Sequence, residues 1–294
     1  MPNEPIRSTA NARIVELRKL SQRKHRRKQN RFAAEGLQIL RAAVEAIESS
    51  DEPARVRPLE VFYCEDLFAS ETAPRLLESL RAAGAEPIPV TEAVLETASL
   101  RIHSQGLVAT FAAEPMMPSL AAWPPPVTDS PALYVLVDRP QYPGNVGTLV
   151  RTADAVGASG VLLVEPSADP LDPSAIRASM GSVFSVPLAS VASAGDLIAW
   201  VAPADLRWVA ADVEAGESIW DTDALGGAVG LILGNEAAGP QPDLLALADA
   251  TVHLPQRGRA DSLNVAVAGG VLMYEWLRAN GVEGSDGQRA TSNE

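Results

Sequence analysis

Three stretches in the second half of the chain set polar side chains where a strand-like run leads into a helix-like one. The first, from Asp138 to Asp154, carries Asn145 at an expected helix N-cap and Arg151 six residues on, nearly two turns into that helix. Backbone N–H groups at such a helix start favour anions. The second, Leu231 to Pro240, ends a buried strand at Gly234 and then presents Asn235 and Glu236. Ligands of open parallel sheets bind at the carboxyl ends of strands. The third, Val252 to Ala268, runs through Gly258 to Ser262, which opens an apolar helix with Asn264 in its first turn. Each stretch alone is more often a capped turn, and an isolated helical arginine is usually a surface charge.

Other chemistries lack their residues. No G-x-G-x-x-G follows a strand and no Walker A lysine motif exists. The three histidines, His25, His103 and His253, are far apart in sequence, so no zinc-ligand cluster can be read and no metal is expected. A single cysteine, Cys64, cannot form an intramolecular disulfide.

The elements that must position these loops read as two α/β units. The first spans 10–113. It opens with an expected basic helix over Asn11–Arg31, then a helix after Gly36, a strand over Leu59–Cys64 and a helix over Pro74–Ala83. A strand over Glu86–Val90, a helix from Thr91 and a strand over Gly106–Phe111 follow. Prolines at 115, 118, 124, 125 and 126 make 114–131 an expected semi-rigid linker. The second unit spans 132–280, with strands expected at Leu133–Val137, Val161–Val164, Val186–Ala189, Trp208–Ala211 and Gly230–Leu233. Its helices are expected at Val146–Val156 and Ser262–Ala279. Short apolar runs without alternation indicate strands buried on both faces, hence a mainly parallel sheet. The stretch 281–294 is polar and expected to be disordered.

Charge divides the chain in the same way. Residues 1–41 hold 11 Lys+Arg against 3 Asp+Glu, whereas the other 253 hold 13 against 34. The overall charge of −13 argues against a polyanion partner, but the basic start argues for one. The opening residues show no apolar signal region, and no apolar run approaches the roughly 18 residues of a membrane helix. A soluble protein of a reducing compartment, in the cytoplasm, is the expectation.

Taken together in order and spacing, the three loops resemble the motifs of the SpoU (TrmH-like) RNA ribose 2′-O-methyltransferases of the SPOUT group. The residues that carry the resemblance are Asn145 to Ala153 with Arg151, Leu233 to Gly239 with Glu236, and Leu254 to Gly258 leading to Ser262–Ala268. The segment Ala178–Phe184 is similar to a stretch between the first two motifs. Upstream, the basic helix, Phe32–Gly36 and Ser104–Gly106 resemble the substrate-binding domain that precedes the catalytic domain in many members. One departure is that Leu254-Pro255-Gln256 stands where the family usually has Ile-Pro-Met.

The resemblance implies an α/β fold with a small N-terminal RNA-binding domain and a C-terminal domain threaded into a deep trefoil knot. It implies S-adenosylmethionine as methyl donor, a homodimer that contributes to the active site, and RNA, most simply rRNA, as substrate. A tRNA methyltransferase, a resistance methylase acting on rRNA, and a non-catalytic RNA-binding protein of the same fold are the other readings. Arg151, Asn145, Glu236, Ser262 and Asn264 match the polar active-site positions. Leu233, Gly234, Asn235, Gly239, Leu254, Pro255, Gln256, Ser262 and Leu263 would hold the cofactor. Arg23, Lys24, Arg26, Arg27 and Arg31 would meet RNA phosphates.

Overall fold

The computed structural model describes residues 4–49, 55–99, 104–126, 128, 131–215 and 217–281. His103 and the expected tail from 282 onward lie outside them.

The first half runs α1 (Ala12–Lys19), α2 (Arg23–Gln29), β1 (Arg31–Glu35), α3 (Leu37–Glu48), β2 (Pro58–Tyr63), α4 (Thr72–Ala82), β3 (Glu86–Pro89), α5 (Glu92–Ala98) and β4 (Leu107–Ala112). The basic helix expected over Asn11–Arg31 is therefore two helices and the start of a strand. Asn11 caps α1, its side chain accepting from the Arg13 amide at 2.9 Å. The Arg26 guanidinium donates to the carbonyls of Leu20 and Ser21 at 2.9 and 3.0 Å, satisfying acceptors that the break leaves open. Asn30, at φ 48°, turns the chain out of α2 into β1. β1 is five residues without polar alternation, which is why periodicity missed it. The sheet order is β1-β4-β2-β3, with β4 antiparallel to both neighbours and β2 parallel to β3.

The second half runs β5 (Leu133–Asp138), α6 (Pro143–Ala155), β6 (Gly160–Val164), α7 (Pro173–Ser179), β7 (Leu188–Val191), α8 (Ala194–Val201), β8 (Arg207–Ala211), β9 (Glu217–Ser218), β10 (Val229–Leu233), α9 (Pro242–Leu245), β11 (Ala250–His253) and α10 (Val265–Ala279). Its sheet order is β7-β6-β5-β10-β8-β11-β9, and every pairing is parallel. Every residue of β5, β6 and β10 is buried, as strands covered by helices on both faces must be. α10 lies close against α6 and β10 because residue 269 is glycine. A Cβ there would stand 2.6 Å from Leu149 and 2.7 Å from Leu233.

The two halves share packing. Phe32 and Phe111, paired across β1 and β4, stack at 5.6 Å, and Phe184 lies 5.0 Å from Phe111. Arg55 donates to the carbonyls of Val186, at 2.9 Å, and Phe184, and burial lowers its pKa. The proline-rich stretch is anchored on the second sheet: the Ser190 amide donates to the Pro118 carbonyl, and Trp200 Nε1 donates to that of Pro124 at 2.7 Å.

Candidate active site

Because the strands are parallel, the carboxyl ends of β5, β10, β8 and β11 open on one edge of the sheet. In register, Leu233 of β10 lies between Val137 of β5 and Ala211 of β8. The chain leaves those ends through Asp138, Gly234, Asp212 and Leu254. Asp138 is fully buried and receives Arg139 Nε (2.9 Å), Arg139 Nη2 (3.1 Å), Gln241 Nε2 (2.7 Å) and the Gln241 amide (2.9 Å). A buried carboxylate is tolerated only when paired in this way, and here it ties the end of β5 to the loop after β10.

Between these loops lies a cavity of about 450 Å³, within the usual range of small-molecule sites. Apolar side chains of Leu233, Leu254, Leu263, Val265 and Leu272 form one wall. The tight loop 234–239 forms another, closed by reciprocal backbone hydrogen bonds between Asn235 and Gly239 at 3.1 and 3.0 Å. A Cβ at residue 234 would meet Pro240 at 2.5 Å, so only glycine lets the two ends of this loop close. Asp212, Glu214 and Glu236 bring carboxylates to the cavity. His253 lines it too, and its Nδ1 is buried with no hydrogen-bond partner among the described residues. An apolar slot, a glycine-shaped backbone cradle, carboxylates and an unmet polar atom suit a flat heterocycle attached to a cation.

Of the residues predicted to hold a cofactor, Leu233, Gly234, Asn235, Gly239, Leu254, Gln256, Ser262 and Leu263 line this cavity. Pro255 is the exception: it is exposed and does not line the cavity, although its neighbours Leu254 and Gln256 do. The Asn235 side chain organises its own loop, accepting from the amides of Ala237 and Ala238 and donating to the Arg139 carbonyl at 2.8 Å. Asp212, Glu214 and His253 were missed. Their signal was position at a strand end, and it needed the strand order to be visible.

The polar residues of the three loops meet at the cavity's edge. Asn264 donates through Nδ2 to Asn145 Oδ1 at 3.2 Å, and Asn145 donates through Nδ2 to Glu236 Oε1 at 3.1 Å. The Gln141 amide reaches the other oxygen of Glu236 at 3.2 Å. Two helix starts differ from expectation. α6 begins at Pro143, whose fixed φ suits the first helical position, so Asn145 is inside the first turn rather than its cap. Asn264 is itself the N-cap of α10, accepting from the amides of Ala266 and Val267, and Ser262 lies outside that helix. Arg151 is exposed on α6 and does not line the cavity, and its side chain makes no hydrogen bond or ion pair among the described residues.

The predicted RNA-contacting residues separate into two groups. Arg26 is withdrawn from solvent, its side chain 3% exposed, and pairs with Asp169 at 2.7 Å and Asp172 at 3.0 Å. It fastens α2 to the start of α7 and cannot also hold a phosphate, which corrects its assignment. Arg31 pairs with Glu60, and Arg23 donates to the Ser167 carbonyl at 2.7 Å. Lys24 and Arg27 stay exposed.

Among the described residues no group of His, Cys, Asp and Glu could hold a metal ion, and no helix is long and apolar enough to cross a membrane. Compared with known proteins, residues 132–274 match the SpoU rRNA Methylase family and residues 11–109 the MRM3-like substrate binding domain. An uncharacterized tRNA/rRNA methyltransferase of Synechocystis is 30% identical over 273 residues, covering 93% of both chains. A 23S rRNA (uridine(2479)-2′-O)-methyltransferase of Streptomyces viridochromogenes is 39% identical over 151 residues, 50% of this chain and 52% of that one. Among solved structures, an AdoMet-bound rRNA methyltransferase from Sinorhizobium meliloti superposes with a TM-score of 0.80 at 32% identity, over 94% of this chain and 97% of that one.

Proposed function

The chain belongs to the SpoU rRNA methylase family, and from that premise we propose that it methylates a ribose 2′-hydroxyl of ribosomal RNA through the residues assembled above. It is an S-adenosylmethionine-dependent RNA 2′-O-methyltransferase. The observation that carries the site assignment is the hydrogen-bonded sequence Asn264–Asn145–Glu236 at the edge of the cavity, one residue from each loop. The likeness to rRNA-modifying relatives supports rRNA over tRNA, while the exposed cations Lys24 and Arg27 suit the phosphates of either.

When bound, S-adenosylmethionine supplies a methyl group on a sulfonium, already a good electrophile. The chain must therefore orient the hydroxyl and stabilise negative charge on its oxygen as the proton leaves. Leu233, Leu254 and Leu263 would pack the cofactor while the backbone of 234–239 holds its edges. Asn145 and Glu236 would position the ribose. A guanidinium offers donors and no acceptor, so the role of Arg151 is electrostatic, toward the developing alkoxide or the adjacent phosphate.

Arg151 reaches a cavity most simply in a homodimer. Thr148 and Thr152, its neighbours on α6, border an apolar surface made by Val267, Val271 and Tyr274 of α10 with Trp220. Spacing of i, i+4 and i+7 puts the α10 residues on one stripe, and an exposed apolar patch of this kind marks an interface. Burying it against a second copy would bring Arg151 toward the partner's cavity. The position of β10 between β5 and β8, with both later loops on one cavity, supports the trefoil knot of the family. We propose the cytoplasm as its place of action, in line with its rRNA-modifying relatives.

The test is methyl transfer from labelled S-adenosylmethionine into rRNA and tRNA from cells lacking the gene, with the product mapped by its resistance to alkaline cleavage. Label in rRNA ribose supports the proposal. Label confined to tRNA, or found in bases, overturns it.

A further inference from the structure

The ring of Tyr142 does neither of the jobs that a loop aromatic normally does. It is 61% exposed, so it contributes little to the core, and it makes no ring contact or side-chain hydrogen bond among the described residues. It occupies the N-cap position of α6 yet gives no side-chain cap, where Ser, Asp or Asn would stabilise the helix by about 1 kcal/mol. It also lies outside the apolar patch of α6 and α10, so the proposed dimer surface does not account for it.

Its backbone, by contrast, is fixed within the site. The preceding amide, of Gln141, is bound to Glu236 at 3.2 Å. Its own carbonyl accepts from the amides of Asn145 and Val146 at 3.0 and 3.3 Å. Pro143 follows it, and the Pro140 carbonyl accepts from the Ala168 amide at 2.7 Å. A tyrosine has two side-chain torsions, so on a rigid backbone it forms a contact surface at low entropic cost.

We propose that Tyr142 is a stacking platform for a base of the RNA substrate, at or beside the methylated nucleotide. This inference rests on the RNA methyltransferase reading above. Every nucleotide offers the same 2′-hydroxyl, so the enzyme needs a contact that holds one nucleotide's pose in front of Asn145 and Glu236. Bases of unpaired RNA are held by stacking on aromatic side chains, and every base has a π face. Tyr142 therefore fixes pose, not base identity, which is left to RNA shape and other contacts.

The experiment compares wild type with Tyr142→Ala, Tyr142→Phe and Tyr142→Trp in methyl transfer to rRNA from cells lacking the gene, with cofactor binding measured calorimetrically on each protein. Because the side chain is exposed, the variants should fold. The expected result is a loss of about tenfold in kcat/KM for RNA in Tyr142→Ala, the usual scale for removing one stacked base contact. Phe and Trp should restore most of it, and S-adenosylmethionine affinity should not move. An Ala variant within about twofold of wild type overturns the proposal. So does a loss that Phe fails to restore, which would assign the role to the hydroxyl, or a parallel loss of cofactor affinity, which would assign it to the loop. Wild type that binds the cofactor but labels no RNA overturns the substrate reading and takes this inference with it. Wild-type transfer with an indifferent Ala variant removes only the stacking role.

Discussion

Asn145 and Glu236, 91 positions apart in sequence, are joined by a single directed hydrogen bond, amide nitrogen to carboxylate oxygen at 3.1 Å. The direction is imposed from α10. Asn264 spends its own carbonyl oxygen on the amides of Ala266 and Val267, so it can only offer Nδ2 to Asn145. Asn145 must then accept with its oxygen and donate with its nitrogen to Glu236. Helix capping and active-site orientation are thus one arrangement.

That coupling can be separated by Asn264→Asp. Aspartate caps a helix as well as asparagine, so thermal stability should stay near wild type. It has no hydrogen to give Asn145, which is then free to turn away from Glu236. Loss of that bond should lower kcat by about tenfold with cofactor affinity preserved. Unchanged kcat would show that the Asn264–Asn145 contact does not orient the site.

Arg151 is expected to act across a dimer. Arg151→Ala should cost about a hundredfold or more in kcat while S-adenosylmethionine still binds. Gly234→Val, which places a side chain against Pro240, should abolish cofactor binding. If each site takes Arg151 from the other subunit, mixing the two inactive proteins should restore activity in the mixed dimers. Introducing a charge into the α10 stripe, as in Val271→Glu, should give monomers by sedimentation and remove activity together. Active monomers would refute the shared site.

The junction between α2 and α7 should be sensitive to charge and acid. Arg26→Met leaves Asp169 and Asp172 without their cation and should lower stability by about 3 kcal/mol, read from denaturant unfolding. Burial raises the Asp172 pKa, but hydrogen bonds from the Ser174 hydroxyl and amide and the charge of Arg26 outweigh it, leaving the value below the ordinary one. A lowered folded-state pKa contributes stability that is present above the unfolded value, about 3.9, and lost as pH falls through the folded one. Asp172→Asn should therefore reduce Tm at neutral pH and flatten the loss of Tm on acidification below about pH 4. Parallel acid limbs would show that Asp172 does not carry this linkage.

RNA affinity should respond to the exposed cations of α2 and not to the buried one. Reversing charge at Lys24 and Arg27 should weaken RNA binding and reduce the slope of log affinity against log salt by about 2. An unchanged slope would place the phosphate contacts elsewhere on the chain.

What the sequence determined by itself was local and additive. Unbroken apolar runs such as Leu133–Val137 and Gly230–Leu233 dictated buried parallel strands, because a strand covered on both faces has no polar side to show. Glycine and asparagine at strand ends marked the three loops. Segments without a period were not legible: β1 has only three apolar residues, Phe32–Ala34, between charged ends, and the break between α1 and α2 leaves helix-forming residues on both sides. Tertiary structure alone decided which strand ends share an edge, since the placement of β10 between β5 and β8 is a matter of packing among distant segments. That order brought Asp212, Glu214 and His253 to the cavity. It also decided the fate of Arg26. In sequence Arg26 is one cation in a basic run, but Asp169 and Asp172 on a distant segment neutralise it, and a charge is buried only where such partners are waiting.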